Sequence, residues 1–286
     1  MSDTDAPARR PGPWDPKPEE AAARAAPAAA RAATPAFEAP LDKGQHPAWA
    51  VVSTLLLGGF IWLISGSWAI AVAAIWGLFV HEYGHVLAMN RLGMGPARIY
   101  IIPFLGGLAK AQRPPQSEWD GVLVALAGPA FGLLAAIPFF AGFVATGNPL
   151  WLQGVFAIAL INFVNLAPAP PLDGSKALGP VLARIHPWLE MGAMVLVGVT
   201  VVVWGFTNGS YIFAAFLAIA LVGHLRRGAW RPYGRPLSWG EAGKSTGLYL
   251  LTAAACAGVT IAALAPGASS LAEAAANAGG FFEFGR

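Results

Sequence analysis

From Pro47 onward the sequence runs as a series of apolar stretches, each able to cross a hydrocarbon layer as a helix, for which about 20 residues suffice. They fall near 47–65, 68–91, 120–145, 149–167, 189–206, 210–225 and 247–265. The last, around TAAACAGVTIAALA, is rich in small residues and the least hydrophobic. In lipid each segment must satisfy its own backbone polar groups, so such a chain is expected to fold as an all-α polytopic membrane protein. Composition agrees: 12% of residues are charged, against about 25% in an ordinary soluble domain. The formal charge of +3 gathers into no basic stripe, so no nucleic-acid partner is expected. A single cysteine, Cys256, excludes an intrachain disulfide.

Lysine and arginine give a direction. With residues 1–46 in the cytosol and seven spans threaded in order, every Lys and Arg except Arg286 falls on the cytosolic side. The opposite loops, SGS, TGNP and TNGS, carry none. This bias predicts a cytosolic N-terminus and supports the span count. Residues 1–46 are Ala- and Pro-rich with mixed charge and no signal-peptide core, and are expected to be a disordered cytosolic tail. Residues 47–225 form the membrane core, 226–246 a basic cytosolic loop, and 247–286 an extra span with a C-terminal tail. Residues 94–113, MGPARIYIIPFLGGLAKAQR, are too short and too broken by Pro103 and Gly106–Gly107 to span. They predict a short membrane-associated β-hairpin after the second helix, sheltered by the other helices.

The second span contains 79-FVHEYGHVLAMN-90. His81 and His85, four residues apart on a helix, share a face and can hold one metal. Imidazole suits zinc, and Glu82 beside the first ligand can accept a proton from water activated there. With its 5 His the chain would produce HExxH by chance only about three times in a thousand. Ionisable residues inside a span are costly and point to function. A catalytic zinc takes three protein ligands. His46, His186 and His224 lie outside or at the ends of spans, which leaves Asp173 in 162-NFVNLAPAPPLDGSKALGP-180 as the best third candidate. The prolines before it could fold it back to the depth of the histidines. Equally, it could be a turn aspartate capping the next helix.

Together, HEYGH on a membrane helix and Asn165-Leu-Ala-Pro168-Ala-Pro170-Pro171-Leu172-Asp173-Gly174 resemble the motifs HExxH and NxxPxPxLDG of the site-2 protease family of intramembrane zinc metalloproteases. The resemblance takes in the Gly106–Gly107 hairpin and 127-AGPAFGLL-134, and covers roughly residues 48–225. It implies a six-helix core, to which the seventh span is an addition. It implies that His81, His85 and Asp173 bind zinc, that Glu82 is the catalytic acid and base, and that a substrate helix is cut within or near the bilayer. Where the family often has an asparagine after AGP, this chain has Gly132. No insertion long enough for a PDZ domain and no CBS pair is evident, which points to the compact subgroup. Asn165 is a candidate for hydrogen-bonding a developing oxyanion, with an interhelical polar contact as the plain alternative, and Asn162 is a weaker candidate. Gly128 and Gly132 make a small-xxx-small pair suited to helix packing. The hairpin offers a strand edge to an unwound substrate.

The competing function is a metal transporter or metal-binding membrane protein. A transporter favours repeat symmetry or several polar sites along a path, and the sequence has neither. Expected partners are the lipid bilayer and a membrane-anchored protein substrate, such as an anti-sigma factor, a membrane-tethered regulator or a remnant signal peptide. High Ala, Gly and Pro usage suggests a GC-rich bacterium, hence its inner membrane.

Overall fold

Two residues, Gly66 and Ser67, turn the first span back into the second. Gly66 takes the left-handed conformation (φ 64°) and returns its N–H to the Trp62 carbonyl, ending helix α1 (Pro47–Ser65). The Ser67 hydroxyl accepts from the Ile70 N–H and starts α2 (Trp68–Arg91). The computed structural model describes residues 42–268 apart from 105, 208, 210 and 228–233, together with 270 and 273. The predicted N-terminal tail, up to 41, lies outside these residues, as do much of the basic loop and nearly all of the C-terminal tail.

Strands β1 (Arg98–Ile102) and β2 (Gly106–Lys110) follow α2 and pair antiparallel, with Tyr100 opposite Leu108 and Ile101 opposite Gly107. Then come α3 (Glu118–Gly132), a 3-10 turn at Leu133–Ala136 and α4 (Ile137–Thr146), which together make one long apolar rod. The remaining helices are α5 (Leu150–Asn165), α6 (Asp173–Ile185), α7 (Pro187–Thr207), α8 (Tyr211–Arg227) and α9 (Trp239–Leu264). The architecture is the expected helical bundle with a two-stranded sheet after its second helix.

Among the described residues, five helical segments are long and apolar enough to cross a membrane: α1, α2, α3–α4, α7 and α9. The two other expected spans are present as shorter apolar helices, α5 with 16 residues and the 214–223 part of α8. One boundary moves. The last helix starts at Trp239, so residues 239–246, expected in the basic loop, are its first turns. Polarity hid them: Ser238 and Glu241 form a reciprocal capping box, which uses polar side chains to start a helix before its apolar part begins.

Helix α9 is not peripheral. It packs against α5, α6 and α3. Its Ala242 and Cys256 join Val122, Ala125, Leu126, Leu166 and Ala177 in one buried cluster. Ser245 donates to the Ala177 carbonyl at 2.9 Å and Tyr249 to the Leu166 carbonyl at 2.6 Å. A second cluster centres on Val155, Phe156 and Ile158 of α5, with Ala73 of α2 and Phe139 of α4. Glycines let these helices approach: a Cβ on Gly77 would sit 2.9 Å from Ile158 Cγ1, and one on Gly84 2.5 Å from the Ala127 carbonyl oxygen.

The hairpin is strapped from outside by the segment that leads into α1. The Gln45 side-chain amide donates to the Ile101 carbonyl at 3.0 Å and accepts from the Ile101 N–H at 2.9 Å, as a neighbouring strand would. Asp42 receives Lys110 Nζ at 2.6 Å, the Tyr100 hydroxyl and the Gly44 N–H at 2.9 Å. The Lys110 hydrogen bond first, and that of Tyr100 second, hold its carboxyl well below the usual carboxylate range.

Candidate metal centre

The HExxH turn lies on the buried face of α2, and His81, Glu82 and His85 are all buried. Each imidazole has one nitrogen fixed from behind. His85 Nδ1 lies 2.7 Å from the Val124 carbonyl, which can only accept, so Nδ1 carries the proton. Asn162 donates from Nδ2 to the Ile158 carbonyl at 2.8 Å, which identifies the nitrogen end of its amide. Its Oδ1 therefore faces His81 Nδ1 at 2.9 Å, and that nitrogen too carries the proton. Both Nε2 atoms are left with their lone pairs free and turned toward one another.

Asp173 completes the group. The chain folds back after α5 through Leu166–Leu172, with the Ala167 and Leu172 N–H groups bonded to the carbonyls of Val164 and Ala169. Asp173 is then the first residue of α6. It does not cap that helix: Leu172 occupies the N-cap position with no side-chain cap bond, while Asp173 Oδ2 lies 3.1 Å from His81 Nε2 and 3.2 Å from His85 Nε2. The two Nε2 atoms are 3.1 Å apart. Three electron-rich atoms thus form a near-equilateral triangle, a repulsive arrangement unless a cation sits among them. Zinc with bonds of ~2.0–2.1 Å in a tetrahedron needs ligand atoms about 3.3 Å apart, so the residues fit that ion. Lys176 Nζ, 3.7 Å from Asp173 Oδ1, offsets part of the remaining charge.

Backbone walls the centre on two sides. A Cβ on Gly128 of α3 would come 2.4 Å from His85 Nε2 and 2.9 Å from His81 Nε2. A Cβ on Gly107 of β2 would come 2.5 Å from Glu82 Cγ. Glycine at 128 therefore leaves room for the imidazoles and their ligand, and glycine at 107 lets the strand lie against the glutamate.

The structure brings His81, His85 and Asp173 together, with Glu82 buried beside them. Asn165 is half-buried and gives an amide hydrogen to the Ile161 carbonyl at 2.9 Å, one turn back in its own helix. His46 and His186 serve as helix caps, accepting from the N–H groups of Ala48 and Trp188. Asn162, weighed only as a weaker oxyanion donor, instead stands behind His81. Val124 contributes a carbonyl, for which a sequence gives no signal. The small-residue pair at 128 and 132 was visible, but not that both positions serve the centre.

Fold and centre together define a helical membrane bundle built around a His-His-Asp group, and comparison places it. Residues 69–158 match the model of peptidase family M50, and the long apolar helices mark the chain as an integral membrane protein. It is 32% identical over 139 residues to a Synechocystis protein named as a zinc metalloprotease, and 25% identical over 156 residues to a zinc metalloprotease of Methanocaldococcus jannaschii. These alignments take in 46% and 51% of this chain but 35% and 44% of the two relatives, so the chain spans less than half the length of each. No solved structure matches.

Proposed function

We propose that this protein is an intramembrane zinc metalloprotease that hydrolyses a peptide bond of a membrane-anchored protein. The observation that carries the reading is the convergence of two Nε2 lone pairs and one carboxylate oxygen at 3.1–3.2 Å, with Glu82 buried beside them. His81, His85 and Asp173 would hold the ion. When bound, zinc supplies Lewis acidity, which polarises a carbonyl and brings water within reach of ionisation near neutral pH.

The chain's own residues do the rest. The Glu82 carboxylate accepts a proton from the attacking water and returns it to the leaving amine nitrogen, the general-base and general-acid halves of one cycle. The protonated Nδ1 atoms of both histidines keep the rings from turning. Asn165 has a second amide hydrogen beyond the one given to Ile161, and that N–H is the donor we assign to the developing oxyanion.

Substrate enters as a strand. Ile101 turns its N–H and C=O outward to Gln45, so its register partner Gly107 turns its own outward on the opposite edge. The β1 edge is filled by Gln45. One face of β2 lies against Glu82 at Gly107, so a peptide paired along the β2 edge would be held extended near the base. Membrane-tethered regulators, anti-sigma factors and remnant signal peptides are substrates of suitable form. The N-terminus faces the cytosol of a bacterial inner membrane in this reading, which rests on the Lys and Arg distribution.

The test compares wild type with Glu82→Gln in detergent, measuring bound zinc per chain and cleavage of a transmembrane-helix substrate. One zinc in both and cleavage by wild type alone is the expected result. Zinc in both and cleavage by neither, with zinc flux in liposomes, would replace the protease with a transporter.

A further inference from the structure

The two histidines are held from behind by different means. The acceptor behind His85 is a backbone carbonyl, which no substitution at Val124 removes. The acceptor behind His81 is a side chain, the fully buried Asn162 of α5. That amide occupies space opened on the facing helix α3. A Cβ on Gly132 would lie 2.0 Å from Asn162 Oδ1 and 2.7 Å from its Cγ and Nδ2, so any side chain at 132 would displace it. The Ile158 carbonyl, one turn back in α5, fixes the amide's orientation.

We infer that Asn162 is the positioning residue for the metal centre: it sets the tautomer of His81, and Gly132 is the vacancy in α3 that admits it. The inference rests on the proposed His-His-Asp metal site and adds a determinant outside the ligand set.

The physical reason lies in the 3.1 Å between the two Nε2 atoms. With Asn162 accepting from Nδ1, both Nε2 atoms present lone pairs and need a cation. Without that acceptor, His81 can move its proton to Nε2 and donate it to His85 Nε2 at hydrogen-bond distance. The two ligands would then satisfy each other, and an incoming metal would have to break that bond. Loss of an outer partner of this kind typically costs 10–100-fold in metal affinity.

The experiment measures zinc affinity by chelator competition, and the His81 tautomer by nitrogen NMR of the metal-free protein, in wild type and three variants. Asn162→Leu keeps the branched shape and removes the acceptor, and should weaken zinc about 10–100-fold. In it the His81 proton should shift from Nδ1 to Nε2. Asn162→Asp keeps an acceptor and should bind zinc at least as well as wild type. Gly132→Asn combined with Asn162→Ala moves the amide from α5 to α3 and should recover most of the affinity lost in Asn162→Leu. Should Asn162→Leu fail to fold, the relocated amide decides, because a packing role at position 162 predicts no recovery from it. Equal zinc affinity in wild type and Asn162→Leu, or equal weakening by Leu and Asp, would overturn the inference and leave the metal site standing. A wild type that holds no zinc would overturn the site itself.

Discussion

The metal centre and the hairpin beside it are built on opposite plans. At the centre, helices close on one another through glycines, and the imidazoles are gripped from behind by Val124 and Asn162. The hairpin has two short strands held by side chains of the preceding segment, and Lys110, Leu108 and Ile102 stand exposed. Contacts of the first kind open only when helices part. Those of the second kind exchange readily with water. In the proposed function, chemistry that needs fixed geometry would sit in the part that cannot yield, and the surface proposed to take the peptide would sit in the part that can.

That contrast can be broken from either side. The largest effect is expected from Gly128→Val, whose side chain would fall onto both Nε2 atoms. Zinc affinity should drop by more than about 100-fold, and dialysis against a weak chelator would strip the variant but not wild type. Next is Gly107→Val, which pushes on Glu82 from the strand. Cleavage should fall about 10–100-fold, as for a misplaced general base, while the zinc content stays at the wild-type value. Loss of zinc here would show that hairpin and centre are one rigid unit. A smaller effect is expected from Gln45→Ala. It frees the Ile101 N–H, so amide exchange at that residue should accelerate while cleavage changes by no more than about threefold.

The smallest effect concerns pH. Asp42 is held below its ordinary value chiefly by Lys110, so its contribution is complete above the usual carboxylate pKa and declines only as pH falls below that point. Between about pH 7 and pH 5 the strap should hold, with unchanged proteolytic nicking near the hairpin. Asp42→Asn should be nicked faster across that whole interval, and equal nicking would show that the ion pair fixes nothing.

Much of this was legible in order along the chain. His81 and His85 lie four residues apart on one helix, so their common face followed from helical periodicity alone, with Glu82 next to the first of them. The hairpin announced itself by Pro103 and the Gly106–Gly107 pair. Asp173 was half legible: prolines showed that the backbone was broken, but only folding shows that it returns toward α2, with the N-cap position falling on Leu172 instead. The start of α9 was hidden because capping boxes look like loops. Least legible were Asn162 and Gly132, thirty positions apart in sequence. Neither means anything alone. One is a polar residue in an apolar run and the other a helical glycine, until the crossing of α3 and α5 sets one into the space left by the other.

Helix α5 carries a consequence for the membrane itself. Its 16 residues reach about 24 Å, some 6 Å less than the ~30 Å hydrocarbon slab. A helix that falls short creates hydrophobic mismatch, relieved by thinning the leaflet or by filling the deficit with other backbone. Here the missing length is taken up by Leu166–Leu172, whose carbonyl at Leu166 is covered by Tyr249, and Asp173 lies at its end. Non-helical backbone, which must be sheltered by protein or lie in a wet cavity, therefore stands in for lipid-facing helix where α5 leads into Asp173.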